Sequence, residues 1–584
     1  MNSAFMDAME GYDAVSFDVY DTLVVRPYVS PVDVFLHMER IHGAEGFARL
    51  REDAEEDVRR RVRGEITLEQ VYDALDPRFR HLMDAEVELE SRITVANPET
   101  VGMMRAALDS GRRVFLISDM YLSSEVIEGM LHRCGITGYH AFYVSTEHGA
   151  TKHEGSLFRK VSEEQGVPLD RILHVGDNRR GDQSVPRSLG MGVFPYERPI
   201  DVHLGSHNGF RRYLRSGDRL SRSIILSIDM MLERGMIGTT DGDLWFRLGR
   251  RFGGPIIHSY SKYVAENVDP DARLLFASRD GYSVRRVFSD MMPDHDDTAY
   301  VHVQRIFSYV LTDSTIPRGR MELPNRRTDR FEHGKVVSRV RYLLGFFSDD
   351  LGLDSIPDDP DEAVRLYNDN ADLLDSLRDE RSRDYSQYIR DVCAGAEDVE
   401  LVDCTTMKYT SQRLVEGILG RPIRGHYFVT LADSDLGHDT YHVRRGFQFD
   451  WGYINIPEFF MCSPELPIKG WSSGSPVFDV DSPGWEMHRA EVFGDISDGE
   501  CEYSSLVRGI FGDSCPMFDY QSVVKWSAMS AWMGNEYSRA IRSMKWASGP
   551  SHKDWFPIVP NDLRDILFVV RRLVTDLVSR MNEK

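Results

Sequence analysis

Long apolar runs are missing from this chain. No stretch approaches the roughly 18 consecutive apolar residues of a membrane-spanning helix, and the opening MNSAFMDAMEGYD has neither a basic start nor an apolar stretch. The expectation is therefore a chain with no signal peptide and no membrane span. Cysteine is scarce: six residues, Cys134, Cys393, Cys404, Cys462, Cys501 and Cys515, with no Cys-x-x-Cys pair among them. That spacing excludes a dense disulfide framework and fits reduced thiols in a cytoplasmic protein. Positive charge is in deficit, 70 Lys and Arg against 93 Asp and Glu, for a net charge of −23. Nucleic acid and anionic membrane surfaces are poor partners for such a surface. An acidic protein that handles a phosphorylated molecule must gather positive charge inside a pocket. Internal repeats and low-complexity tracts are absent too.

What is present suffices for several cores. At 584 residues, 41% hydrophobic and 11% aromatic, the chain is too long for one core and should form two to four domains. Ala14-Val15-Ser16-Phe17 reads as a buried strand opening into Asp18-Val19-Tyr20-Asp21-Thr22-Leu23. From about 31 to 110 apolar residues recur at helical spacing among many charges, a helical insertion in which Thr67 and Gln70 offer a cap. Strands and helices then alternate: RRVFLIS ending at Ser118 and Asp119, AFYVST, a helix with Lys152 at its entrance, and RILHVG ending at Asp177. This alternation argues for a parallel sheet covered by helices.

Four polar signals therefore stand at strand ends or at the helix start just beyond. D-x-x-x-T-L at 18–23, a hydrophobic run closed by Ser118, Lys152, and G-D-x-x-x-x-D at 176–182 come in the order and separations of the haloacid dehalogenase superfamily, which residues 13–200 resemble. The resemblance implies a Rossmann-like core, with Asp18 as a nucleophile that forms an aspartyl-phosphate. It implies Mg²⁺ held by Asp18, the Tyr20 carbonyl and Asp177, with Asp182 in the shell around the ion. Ser118 would bond the transferring phosphoryl group, and Lys152 would be the fixed cation that the acidic bulk charge demands. The insertion at about 24–112 would be a cap that closes over the site, its charged helices fitting a mobile lid. One position departs from the pattern: Tyr20 stands where the second, acid–base carboxylate is usual. Tyrosine there resembles the 2-haloacid dehalogenases, whereas the acidic GDNRRGD at 176–182 resembles the metal-binding form of phosphatases. Asp21 is a neighbouring carboxylate that a turn could bring into reach. SFDVYDTL and ISDMYL together resemble a narrower branch of predicted hydrolases linked to capsular and surface polysaccharide genes.

Beyond 205 the motifs thin out. Helical segments at 206–265 read as a connector broken at 238–242, and 266–480 as a second α/β region with strands at ARLLFAS, YVHVQ, VELVD and GHYFVTL. If those strands are parallel, Arg279, Asp280, Arg305, Asp403 and Lys408 meet at one sheet edge as a pocket for an anionic ligand; a structural Arg–Asp pairing with a Gly281 turn is the competing reading. Segments 313–335 and 348–362 read as exposed loops around a helix, and 481–584 as mainly helical, ending in a core-packing helix at DILFVVRRLVTDLVSRM. The fold class is then α/β: a Rossmann-like parallel sheet with a helical cap over 1–205, a second α/β region, and a helical C-terminal part. Function divides three ways. The first is a Mg²⁺-dependent phosphohydrolase or phosphotransferase for a small phosphorylated metabolite, such as a sugar phosphate or a polysaccharide precursor. The others are a phosphate-binding scaffold with partners in glycan synthesis, and a transferase whose site lies in the second half.

Overall fold

The computed structural model describes residues 3–62, 65–215, 217–312, 318–406, 408–443, 452–547 and 555–558. The chain forms two compact units, Met1–Asp241 with Ser505–Ser522, and Gly242–Ser504 with Val523–Lys584.

The first unit is built on a five-stranded sheet: β1 (Ala14–Phe17), β2 (Arg113–Ser118), β3 (Ala141–Val144), β4 (Ile172–Gly176) and β5 (Gly192–Pro195). All strands are parallel, in the order β3-β2-β1-β4-β5. Every residue of β1 and β4 is buried, as strands covered on both faces must be. The chain steps from β1 toward β2 on one side and later returns to β4 on the other. The carboxyl ends of β1 and β4 therefore flank the topological switch point, where open α/β sheets hold their ligands.

Between β1 and β2 lies the insertion: α1 (Asp33–Ile41), α2 (Phe47–Arg61), α3 (Leu68–Ala74) and α4 (Met83–Ile93), entered and left through a two-stranded ribbon, Val24–Val25 with Val95–Ala96. Thr67 caps α3 as its spacing with Gln70 suggests: its hydroxyl accepts from Gln70 N, and Gln70 Oε1 accepts from Thr67 N. Such a box is worth about 1 kcal/mol. Not all of the cap's charges are exposed to solvent. Arg51 and Glu86 are fully buried and bonded through two contacts of 2.9 and 2.7 Å, with the Tyr72 hydroxyl donating to the same carboxylate at 2.8 Å. Helix α5 (Pro98–Asp109), ending before Gly111, returns the chain to the sheet.

The first unit extends past the expected limit of 205. The expected connector is shared between the units, with α6 (Arg219–Glu233) in the first and α7 (Gly254–Asn267) in the second. Residues 505–522 join the first unit from far along the chain. Ser514 O receives the His37 Nε2 proton at 2.9 Å, and Ser522 O accepts from the Tyr213 hydroxyl at 3.1 Å.

The second unit has its own parallel sheet: β6 (Arg273–Ala277), β7 (Thr298–Val301), β8 (Val399–Thr406), β9 (Arg424–Thr430) and β10 (His438–Val443), ordered β10-β9-β8-β6-β7. The crossover from β7 to β8 contains α8 (Arg330–Phe346) and α9 (Ala371–Val392). α8 starts inside the segment expected to be a loop to 335, because Asp329 caps it by accepting from Glu332 N. A hairpin, Ile468–Ser472 with Ser475–Phe478, precedes α10 (Gly484–Phe511). The helix expected at DILFVVRRLVTDLVSRM lies outside the described residues. No helix among the described residues is long and apolar enough to cross a membrane.

Candidate active site at the first switch point

Backbone pairing carries β1 one residue further, Asp18 N donating to Val175 O at 2.9 Å, so the Asp18 carboxylate emerges where the sheet ends. The turn after it is pinned from α5: Thr22 O accepts from Asn97 Nδ2 at 2.8 Å and from the Thr100 hydroxyl at 2.6 Å. The Thr22 hydroxyl then lies between two carboxylates, 3.2 Å from Asp18 Oδ2 and 3.2 Å from Asp177 Oδ1. Asp21 occupies the left-handed region at φ +58°, and its side chain turns to Arg198, 3.4 Å away.

Lys152 reaches the centre from the turn after β3. Its ammonium bonds Asp18 Oδ1 and, at 2.7 Å, Asp182 Oδ1. Lys152 and Asp18 are only 4% and 6% exposed, so this is a charge contact withdrawn from water. Asp119, next to Ser118 at the end of β2, aims that turn: its two oxygens accept from Lys152 N at 2.8 Å and His153 N at 3.2 Å. Ser118 itself is buried, its residue paired with Val144 across to β3.

Asp182 is held from three sides, by Lys152, by His174 Nε2 at 3.1 Å and by Asn178 N at 2.9 Å. His174 in turn meets the Ser16 hydroxyl at 2.8 Å, which carries the polar network down between β1 and β4. Gly176 is obligatory here, since a Cβ at that position would lie 2.5 Å from the Asp182 carboxyl carbon.

The electrostatics leave the site one cation short. Burial, with Asp182 and Asp177 adding to it, raises the Asp18 carboxyl well above the usual range, and Lys152 opposes. Burial and the neighbouring Asp21 and Asp182 push Asp177 up to about 6. Burial also works against Asp182, yet Lys152 and His174 outweigh it and hold that carboxyl below the usual range. For Lys152, burial disfavours the ammonium, but Asp18, Asp182 and Asp119 more than compensate. Asp18, Asp177 and Asp182 bring one oxygen each within 4.8 Å of one another, a set of hard oxygen donors that fits a divalent cation. Asp18 and Asp177 keep capacity for it, whereas Asp182 is engaged in positioning Lys152.

Tyr20 does not supply the absent carboxylate. Its hydroxyl donates to Met130 Sδ at 3.3 Å, and the Arg26 guanidinium lies over its ring at 5.1 Å. Burial, then the nearby Glu90, keep the phenol protonated far above its ordinary range.

The residues singled out in the second unit meet in part. Asp280 follows β6, Asp403 lies in β8 and Arg305 follows β7; burial, then Asp403 and Glu458, raise the Asp280 carboxyl, and Arg279 and Arg305 oppose. Gly281 is required by close approach, because a Cβ there would come within 2.8 Å of Ala277 O. Lys408 is exposed. Arg279, in the left-handed region, turns its guanidinium to Glu486 Oε1 and Cys462 Sγ, each 3.4 Å away. In the sequence Asp119 was named beside Ser118 without a role; two residues were missed, His174, hidden as a polar residue inside an apolar strand, and Glu458, which no local pattern connects to β6 and β8.

No family model matches the chain. Over 66 residues it is 35% identical to haloacid dehalogenase-like hydrolase domain-containing protein 3 of Danio rerio, a match over 11% of this chain that spans 27% of that relative's length. Solved structures of similar fold include the L-2-haloacid dehalogenase of Xanthobacter autotrophicus with chloropropionic acid covalently bound, at 17% identity, covering 39% of this chain and 90% of that one, TM-score 0.27. Another is a magnesium complex of a HAD family enzyme from Bacteroides thetaiotaomicron, at 15% identity, covering 32% of this chain and 95% of that one, TM-score 0.24. The first unit has a Rossmann-like parallel α/β fold.

Proposed function

We propose that the first unit is a Mg²⁺-dependent phosphohydrolase or phosphotransferase acting on a small phosphorylated metabolite. The observation that supports it best is the convergence at one switch point of three carboxylates, Asp18, Asp177 and Asp182, with a single ammonium, that of Lys152, a set two positive charges short of balance. Asp18, Asp177 and the Tyr20 carbonyl would hold Mg²⁺, which supplies the charge that lets a carboxylate approach an anionic phosphate. An Asp18 oxygen attacks phosphorus, the bond to the leaving oxygen breaks, and the aspartyl-phosphate passes its phosphoryl group to water or to a second alcohol. Lys152 neutralises the equatorial oxygens, and Ser118 stands at the neighbouring strand end to bond one of them. Asp182, itself bonded to His174, accepts from the Lys152 ammonium, and Asp119 accepts from the Lys152 backbone N–H.

Sugar phosphates and polysaccharide precursors are the first substrates to test, on the resemblance of SFDVYDTL and ISDMYL to the polysaccharide-linked branch. Partners in glycan synthesis would follow from the same reading. One observation favours a second reading, a phosphate-binding protein with slow turnover: the Tyr20 hydroxyl is committed to Met130 and brings no carboxylate to the leaving group. Phosphate release from a panel of sugar phosphates and nucleotides, with and without Mg²⁺, compares wild type with Asp18→Asn. Metal-dependent release that vanishes in the variant supports the hydrolase; equal release from both removes it. Binding of inorganic phosphate without release supports the second reading.

A further inference from the structure

Arg198 joins the turn after Asp18 to a helix outside the sheet. It stands just before the helix Pro199–Ser206, and its carbonyl accepts from Asp201 N at 3.0 Å and Val202 N at 3.2 Å, so its backbone is fixed to the first helical turn. Its side chain has three neighbours. Nε lies 3.4 Å from Asp21 Oδ2, Nη2 donates at 3.4 Å to Val29 O on the segment leading into the cap, and Nη1 is 3.8 Å from Asp201 of its own helix. Asp21 is the left-handed residue of the turn, next to Tyr20, and the same turn is closed by Leu23 N and Val24 N donating to Val19 O at 2.9 and 3.0 Å. Arg198 also opposes the rise of the Asp177 carboxyl that burial, Asp21 and Asp182 cause.

Beside the buried Ile200 and Leu204, this helix carries His203, 5% exposed, between two carboxylates of α6. Nε2 is 3.1 Å from Asp229 Oδ2, and Nδ1 is 3.2 Å from Glu233 Oε2. A neutral imidazole has one N–H and leaves one of these carboxylates facing a lone pair; only the imidazolium gives each a donor. The three groups bring ligand atoms within 4.8 Å of one another, yet the two carboxylates face different ring nitrogens, which two N–H donors complete and a single ion on one nitrogen does not. From the helix Asn208–Tyr213 comes the Phe210 ring, stacked on the imidazole at 4.6 Å, while Arg211 and Arg212 are exposed. Of the other charged or titratable neighbours, His207 accepts from Gly209 N at 3.1 Å and Arg234 is paired with Glu99 at 3.4 Å. Burial disfavours the imidazolium, but Asp229 and Glu233 outweigh it and hold the pKa above the ordinary 6.5. With the folded value above the unfolded one, the contact is complete below pH 6.5 and is lost as the pH rises through the folded value. α6 is the fixed partner in this arrangement, since its Ser223 hydroxyl also accepts from Val29 N at 2.8 Å.

We propose that the imidazolium of His203 clamps the helix Pro199–Ser206 to α6 and so holds Arg198 against Asp21, a proton-operated brace on the turn after Asp18; its meaning for catalysis rests on the assignment of the Tyr20 carbonyl to Mg²⁺. The test reads the turn directly, by hydrogen exchange of the amides of 19–24 in the full chain at pH 6 and pH 9, corrected for the intrinsic rate and referred to the amides of β2. Protection of 19–24 should fall by about 3-fold or more between the two pH values. His203→Gln should show the low protection already at pH 6 and no further change. Arg198→Gln should remove the pH dependence while the His203 imidazole, followed by NMR, still titrates above 6.5. Protection that does not change with pH in the wild type, a His203→Gln variant that follows the wild type, or pH dependence that persists in Arg198→Gln would each overturn the proposal. Exchange needs no turnover, so the brace stands or falls on it, whereas absence of Mg²⁺-dependent phosphate release at both pH values removes the proposed function alone.

Discussion

At the residue scale, His37 shows how a single tautomer is fixed. Its Nε2 faces Ser514 O at 2.9 Å, which can only accept, so Nε2 carries the proton and Nδ1 is left to accept from the Tyr28 hydroxyl at 2.8 Å. A second proton would have no place, and burial pushes the imidazolium pKa down to about 4 from 6.5. With the folded value below the unfolded one, the unfolded chain binds the extra proton first. Stability is therefore full above pH 6.5, falls as the pH drops toward 4, and is lost by about 3 kcal/mol below that. Urea unfolding of the wild type should show this loss between pH 6.5 and 4, and His37→Gln should flatten that part of the profile. Gly176 gives a second test. A methyl group there collides with the Asp182 carboxyl carbon, so Gly176→Ala should destabilise by about 1–3 kcal/mol and lower Mg²⁺ affinity, measured by calorimetric titration, through the displaced Asp182–Lys152 contact. A variant that titrates like wild type would mean the loop yields without moving Lys152.

At the element scale, the cap is where charge and burial were hardest to read together. The apolar stripe of α2 runs through Phe47, Ala48, Ala54 and Val58 and includes Arg51; that of α4 runs through Leu89 and Ile93 and includes Glu86. Helical spacing alone thus put both charges on the inward face. Their burial could have been seen by following the stripe, whereas the wealth of charge suggested a mobile lid. The pairing itself was not legible, because nothing in either helix states which stripe it meets. Breaking this pair should be costly: Arg51→Met leaves Glu86 buried without its cation and should cost about 3–5 kcal/mol in urea unfolding. Arg51→Met combined with Glu86→Leu removes both charges and should recover part of that loss, leaving about 2 kcal/mol for the Tyr72 and Tyr121 hydroxyls that then lack their acceptor. A double variant as unstable as the sum of the singles would show that the two charges act separately.

At the scale of the whole molecule, legibility follows the distance over which a signal is written. The sheet of the first unit and the residues of its candidate site were readable because Asp18, Ser118 and Asp177 stand at the ends of short apolar runs and Lys152 in a turn that follows one. The second sheet showed its strands, with Asp280, Arg305 and Asp403 at or near their ends, for the same reason, but not Glu458, which comes from a helix with no local mark. The membership of 505–522 in the first unit was not readable at all, because a helical period says nothing about which core it enters. Yet that segment is strongly engaged. Phe511 packs edge-on against Tyr28 and His37 at centroid distances of 6.4 and 5.1 Å. Ser514 and Ser522 provide acceptors for His37, Tyr213 and the buried Arg222. Each buried polar group deprived of its acceptor costs about 1–3 kcal/mol, and three such losses rival the roughly 5–15 kcal/mol that holds a domain folded. Residues 1–241 expressed alone should therefore melt without a sharp transition and be cut quickly by trypsin, while the same fragment with 505–522 appended through a flexible linker should regain a cooperative melt. If 1–241 alone melts as sharply as the restored fragment, the returning segment only covers the surface it lies on, and the first unit is complete without it.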